Sequence, residues 1–168
     1  MSMAWSGRLQ SPRRSAARAA APLLACALAA TVALGACAAS TPRSAAAATV
    51  AAAFEHYCNF LRAMDHAGMA AMFTADGEIA NPGQEPIRGP AAIDAFLSGF
   101  SGYRVLSYTS EGVSIVVRGD SAELAGIFHQ RVRVPQGNVV EVAGHLAVQW
   151  SRDGTRGWLI QRAATSPL

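Results

Sequence analysis

The chain has 168 residues, 51% of them apolar, which is room for one domain with a real core. Its formal charge of +3 is misleading, because all fourteen basic residues are Arg and four of them (Arg8, Arg13, Arg14, Arg18) precede residue 19; from Cys37 onward ten Arg face all eleven acids. The mature part is therefore near neutral, with no basic stripe and no base-stacking motif, which excludes a nucleic-acid partner.

Met1 to Arg18 is a basic leader, and Ala19 to Ala36 is an uncharged apolar run ending Leu34-Gly35-Ala36-Cys37. A positive start, an apolar middle and small residues at the end describe a secretory signal over residues 1–36. The ending resembles the lipobox of bacterial lipoproteins, which makes Cys37 the lipidated first residue of the mature chain. An uncleaved anchor helix is the competing explanation. The run is near the lower limit of about 17 residues for spanning a bilayer, but it is mostly Ala, so a signal fits better. Arg13-Arg14 is not followed by the hydrophobic residues of twin-arginine export, which leaves general secretion. Of three cysteines, Cys26 leaves with the signal and Cys37 takes lipid. Cys58 is then alone and reads as a small buried hydrophobe.

Residues 37–49, rich in Ala, Ser and Thr, read as a tether whose Ala-rich end can already be helical, with the domain at 50–168. Val50, Phe54, Tyr57, Leu61 and Met64 recur at spacings of four, three, four and three, one face of a helix. Asp65 is placed to cap a second, shorter helix with Met69, Met72 and Phe73 on its apolar side, stopped by Asp76-Gly77. A hairpin turned around Pro82-Gly83 follows, and Gly89-Pro90 opens a third helix with Ile93, Phe96, Leu97 and Phe100 on one side. The rest reads as strands over Tyr103–Val117, Ala122–Val134, Val139–Ser151 and Trp158–Thr165, with Glu111-Gly112 marking a bulge in the first. Three helices before a run of antiparallel strands make an α+β domain, with helices covering one face of a curved sheet and a cavity open at one end.

The helix stripe around Tyr57, FTADGEI, IRGPAAIDAFL, VRGDSAEL and the closing VQWSRDGTRGWLIQR resemble, in order and spacing, the SnoaL-like branch of the nuclear transport factor 2-like superfamily. The resemblance covers nearly all of Val50 to Pro167. It implies a cone-shaped fold with a pocket between sheet and helices, and frequent dimerisation through the sheet. That superfamily holds ketosteroid isomerase, scytalone dehydratase, polyketide cyclases and many non-catalytic binding modules, so the fold does not settle the function.

Aligned without a gap on FTADGEIANP, the ketosteroid isomerase pattern puts its oxyanion-hole tyrosine at Tyr57 and its general-base aspartate at Asn81. The second oxyanion-hole acid falls near Ala143. An amide cannot accept a proton at neutral pH, so one of three roles survives. Tyr57 is either a core tyrosine or a pocket-lining one. Asn81 either hydrogen-bonds a ligand or sets the Asn81-Pro82 turn. His129 and His145 lie in neighbouring strands and are the other candidates for chemistry. In the strand from Val139, one face carries Val140, Val142, Gly144, Leu146, Val148 and Trp150, which sends Glu141 and His145 outward. The same alternation puts His129 outside, unless a bulge reverses it. His56 and His66 read as exposed. No metal-ligand spacing and no cofactor motif occurs, so neither a metal nor a cofactor is expected.

Function then divides two ways. One is an exported, membrane-tethered, non-catalytic domain that binds a small apolar ligand or a protein partner. The other is an isomerase, dehydratase or polyketide-cyclase-type enzyme using Tyr57 with His129 or His145. Inward-pointing histidines would favour the second.

Overall fold

The structure, a computed structural model, describes residues 42–168. The segment expected as signal peptide, Cys37 with its expected lipidation, and the first part of the expected tether lie outside the described residues. Ala38–Leu168 is a compact unit with a core of its own.

Among the described residues, three helices and six strands follow in the order α1 (Pro42–Ala63), α2 (His66–Ala71), β1 (Phe73–Ala80), β2 (Ile87–Arg88), α3 (Pro90–Ser98), β3 (Arg104–Arg118), β4 (Ser121–Arg133), β5 (Val139–Asp153) and β6 (Gly157–Pro167). The strands form one sheet in the order β2-β1-β6-β5-β4-β3. All neighbours are antiparallel except β1 and β6, which run parallel. This is the expected α+β layering, with one difference. The β1–β2 hairpin lies between α2 and α3, as expected, but it belongs to the main sheet, so two of the three described helices precede the sheet's first strand.

Helix α1 begins at Pro42, inside the stretch expected as tether. Proline suits a first helical position, where its missing N–H has no partner to lose, and the alanines that follow are the best helix formers. Two contacts hold this early part to the sheet. Val50 is fully buried, and the Trp158 indole Nε1 donates to Thr49 Oγ1 at 2.9 Å.

The turn out of α1 is tight. Met64 takes the left-handed conformation (φ 55°), the Asp65 N–H reaches back to the Phe60 carbonyl at 2.9 Å, and the Met64 N–H bonds the Leu61 carbonyl at 3.1 Å. That pair of bonds satisfies carbonyls the helix end would leave open. Asp65 then caps α2 as expected, its carboxylate accepting from the Gly68 N–H at 2.8 Å.

Asp76-Gly77 does not stop α2. The helix ends at Ala71, Phe73 already belongs to β1, and Asp76-Gly77 lies within that strand. Gly77 is there because the backbone comes close: a Cβ on it would sit 2.8 Å from the Ile160 carbonyl of β6. The register between β1 and β6 breaks between Phe73 and Glu78, where this approach occurs.

The four long strands fall within a residue or two of expectation. Glu111-Gly112 is the expected irregularity: the β3–β4 register shifts between Glu111 and Ser114, and Gly112 has φ +60°. Further shifts occur at Val105/Ser107 and Gln149/Trp150. Bulges bend strands, and these curve the sheet over the helices. The core lies between the two layers, where Val50 and Cys58 of α1 and Ile93 of α3 meet Phe73, Leu124, Trp150 and Ile160 from the sheet.

Candidate functional site: an apolar cavity with a polar waist

Toward the open end of the sheet the helices no longer fill the concave face. Val140 and Val142 lie on that face, as alternation requires, yet are 45% and 46% exposed. The result is a cavity of about 570 Å³. Its roof is Phe54, Tyr57 and Leu61 of α1 with Phe96 and Phe100. Its floor includes Tyr108, Phe128, Gln130, Val142 and Leu146. Asn81, Pro82 and Gln84, in the turn between β1 and β2, border it. A second cavity of about 340 Å³ continues under Met64, Met69 and Leu97, over Val132 and Val140. Among the described residues, no Asp, Glu, Lys or Arg lines either cavity.

Tyr57 takes its place from the α1 stripe. One helical turn after Phe54 and one before Leu61, it is carried over the sheet, with its ring edge-on to Phe73 at 6.2 Å. Burial, with a smaller contribution from Cys58, pushes its phenol up to about 12. Tyr108 arrives from β3, is 8% exposed and stacks on Phe128 with ring centroids 6.1 Å apart. Burial raises its phenol as well. Both hydroxyls keep their protons at neutral pH and can donate to a ligand oxygen. Cys58 is 1% exposed, and its thiol is pushed up to about 12, first by burial and then by Glu55. As a thiol it is a core side chain and a poor nucleophile.

Asn81 is half-buried and sets the turn, the second of the two jobs its sequence position suggests. Its carbonyl accepts from the Gln84 N–H at 3.2 Å and its amide donates to Gln84 Oε1 at 3.3 Å, while the side chain borders the cavity.

His129 and His145, counted among the pocket candidates, do not join Tyr57 and Asn81. The β4–β5 pairing runs from Ser121↔Ser151 to Arg133↔Val139 without a register shift, so nothing reverses the alternation. Both histidines are exposed on the outer face of the sheet. His129 Nε2 lies 3.1 Å from Glu111 Oε1, and His145 pairs across strands with Ile127 and Ser166. Ala143 also points outward, opposite His129.

Other residues of the site escaped the sequence. His66, expected exposed, is half-buried in the wall of the second cavity, and its Nε2 is sealed from solvent without a partner. Tyr108 and Gln130 are directly paired on β3 and β4 and share the concave face. For Gln130 a signal existed, because it interrupts the apolar alternation between Phe128 and Val132. Among the described residues, no group of three His, Cys, Asp or Glu is placed to hold a metal ion.

The fold and the cavity define a domain of the SnoaL-like type. The SnoaL-like domain family model matches residues 42–164, and the chain belongs to that family. No curated protein matches the sequence. Several solved structures share the fold at low identity. A ketosteroid isomerase-like protein from Erwinia carotovora atroseptica is 20% identical with a TM-score of 0.63, over 71% of this chain and 94% of that one. A putative aromatic ring hydroxylase from Novosphingobium aromaticivorans is 18% identical with a TM-score of 0.68, over 74% and 90%. A protein from Catenulispora acidiphila in complex with S-DNPA is 16% identical with a TM-score of 0.60, over 70% and 91%.

Proposed function

We propose that this is an exported, lipid-anchored SnoaL-like domain that binds a small, uncharged, largely apolar molecule without transforming it. The observation that carries the proposal is the chemistry of the cavity wall. It offers apolar surface, two protonated phenols and side-chain amides, with no carboxylate to move a proton. Asn81 stands where the ketosteroid isomerase pattern puts the base. A charged ligand finds no counter-ion here, and burying an unpaired charge costs several kcal/mol. An enzyme using Tyr57 with His129 or His145 has the sheet between its two groups.

The test is a thermal-shift screen of Ala38–Leu168 against pairs of neutral apolar compounds and their carboxylated analogues. Selective binding to the native state raises the melting temperature, by about 2.7 kcal/mol of stability at a hundredfold excess over Kd. Neutral members should stabilise and their acids should not. Stabilisation by acids alone, or turnover of an enolisable ketone, would refute the proposal.

The anchor rests on the basic leader, the apolar run and Cys37. Globomycin, which blocks lipoprotein signal processing, should make the full-length precursor accumulate. Cys37→Ala should shift the protein out of the membrane fraction, and unchanged size and fractionation would remove the anchor from the proposal.

A further inference from the structure

The two cavities meet along a shared wall made of Tyr57, Leu61, Phe100, Gln130 and Val142. Tyr57 reaches this junction from α1 and Gln130 from β4, on opposite sides, so the two polar groups of the shared wall are a phenol from the helical layer and an amide from the sheet. Gln130 occupies a concave-face position between Phe128 and Val132, where the alternation of β4 calls for an apolar side chain. Among the described residues its amide has no hydrogen-bond partner, although Tyr108 and Val142 flank it across the strands. The amide is half-buried and stays open to solvent, the sealed and unpartnered side-chain atoms among the described residues being His66 Nε2 and Trp150 Nε1, so a ligand that dries the cleft must itself pair with the Gln130 amide or leave it unsatisfied.

We infer that Gln130 and Tyr57 form a polar waist that selects an elongated, uncharged ligand occupying both compartments, with a hydroxyl or carbonyl part-way along its length. The inference rests on the ligand-binding function proposed above and adds the shape and polarity of the molecule. Compactness is disfavoured because a small ligand fills one compartment and leaves the other's apolar wall wet. A charged ligand is disfavoured because His66 is the one imidazole among the described lining residues and the walls hold no Asp, Glu, Lys or Arg. A polar group at one end only would be carried past the waist, leaving the Gln130 amide unpaired. The protonated Tyr57 phenol can donate or accept and the Gln130 amide can do both, so a hydroxyl that accepts from one and donates to the other satisfies both residues at once.

The experiment uses the domain Ala38–Leu168 and the neutral fluorescent probe N-phenylnaphthylamine. Displacement is measured with two isomers of equal hydrophobicity, primary undecanol and the undecanol with its hydroxyl on the central carbon. The central alcohol should compete about fivefold better in the wild type, the effect of one buried neutral hydrogen bond. Gln130→Leu should lose that preference, read as the ratio of the two isomers' competition within the variant so that any change in its probe affinity cancels. Val140→Trp, which fills only the second compartment from an exposed position, should weaken the central alcohol about fivefold more than it weakens the compact ligand cresol. If the wild type binds neither probe nor alcohols, the ligand-binding function itself falls, and the waist with it. If the probe binds but the isomers compete equally, or the preference survives Gln130→Leu, the waist is wrong and the apolar cavity stands. If Val140→Trp weakens the central alcohol no more than cresol, the ligand does not span both compartments.

Discussion

Tyr57 and Cys58 are neighbours in sequence that serve opposite purposes, the phenol bordering the cavity and the thiol filling the core beneath it. Both are weak acids whose charged forms burial disfavours, and both are pushed up to about 12 from ordinary values of 10.0 and 9.0. Above about pH 9 the unfolded chain releases these protons while the native state keeps them, so the native state binds more protons. Stability is therefore complete below pH 9 and falls as pH rises toward 12. Cys58→Ala should cost about 1 kcal/mol at neutral pH through the small void it leaves. The gap in melting temperature to the wild type should narrow by about pH 10, because one of the two groups is gone. A gap that widens with pH would contradict the burial of this thiol. At this scale Tyr57 and Asn81 could be read as site residues, since helical spacing and the FTADGEIANP segment both address single positions. His66 could not, because its burial depends on α2 folding back beside the second cavity.

Among the elements, α1 shows how far local pattern reaches. Its apolar stripe from Val50 to Met64 is visible in the sequence, but the turns before Val50 carry little besides alanine, and nothing local distinguishes a tether from a helix there. What holds them is Trp158 of β6, more than a hundred residues away, through its bond to Thr49. Thr49→Val and Trp158→Phe should each lower stability by about 1 kcal/mol. The double variant should cost clearly less than the sum, because the two changes share the Trp158–Thr49 bond, Thr49→Val also losing the hydroxyl's donation to the Ala46 carbonyl. Additive losses in denaturant titrations would mean that the first turns of α1 are not docked. The same limit explains Asp76-Gly77. A local rule assigns the dipeptide to a turn, whereas β1 uses the glycine to let Ile160 of β6 approach. The pairing of β1 with β6 is parallel and joins the two ends of the domain, so short-range signals carry no trace of it.

For the molecule as a whole, the sheet divides the polar residues into two populations. The outer face carries the cross-strand pairs Arg131–Glu141 at 3.2 Å, Arg118–Glu123 at 3.2 Å and His129–Glu111 at 3.1 Å. Pairs so exposed add little stability. The concave face carries phenols and amides without a formal charge. His129→Ala and His145→Ala should accordingly leave binding of a neutral probe unchanged within about twofold, since neither side chain reaches the cavity. A large loss of affinity in either variant would place a histidine in the site after all. Alternation along β4 and β5 was enough to send both histidines outward; the open point was whether a bulge intervenes, and the uninterrupted β4–β5 register answers it.

By itself the sequence determined the succession of helices and strands, the SnoaL-like pattern and the amide at Asn81, because periodicity, caps and turn residues act over a few positions. Only the tertiary structure decided where the helical layer stops covering the sheet. That boundary depends on how bulges at Val105, Glu111 and Gln149 curve the strands relative to α1 and α3. It turns Gln130, one polar residue in an apolar strand face, into half of a waist across from Tyr57.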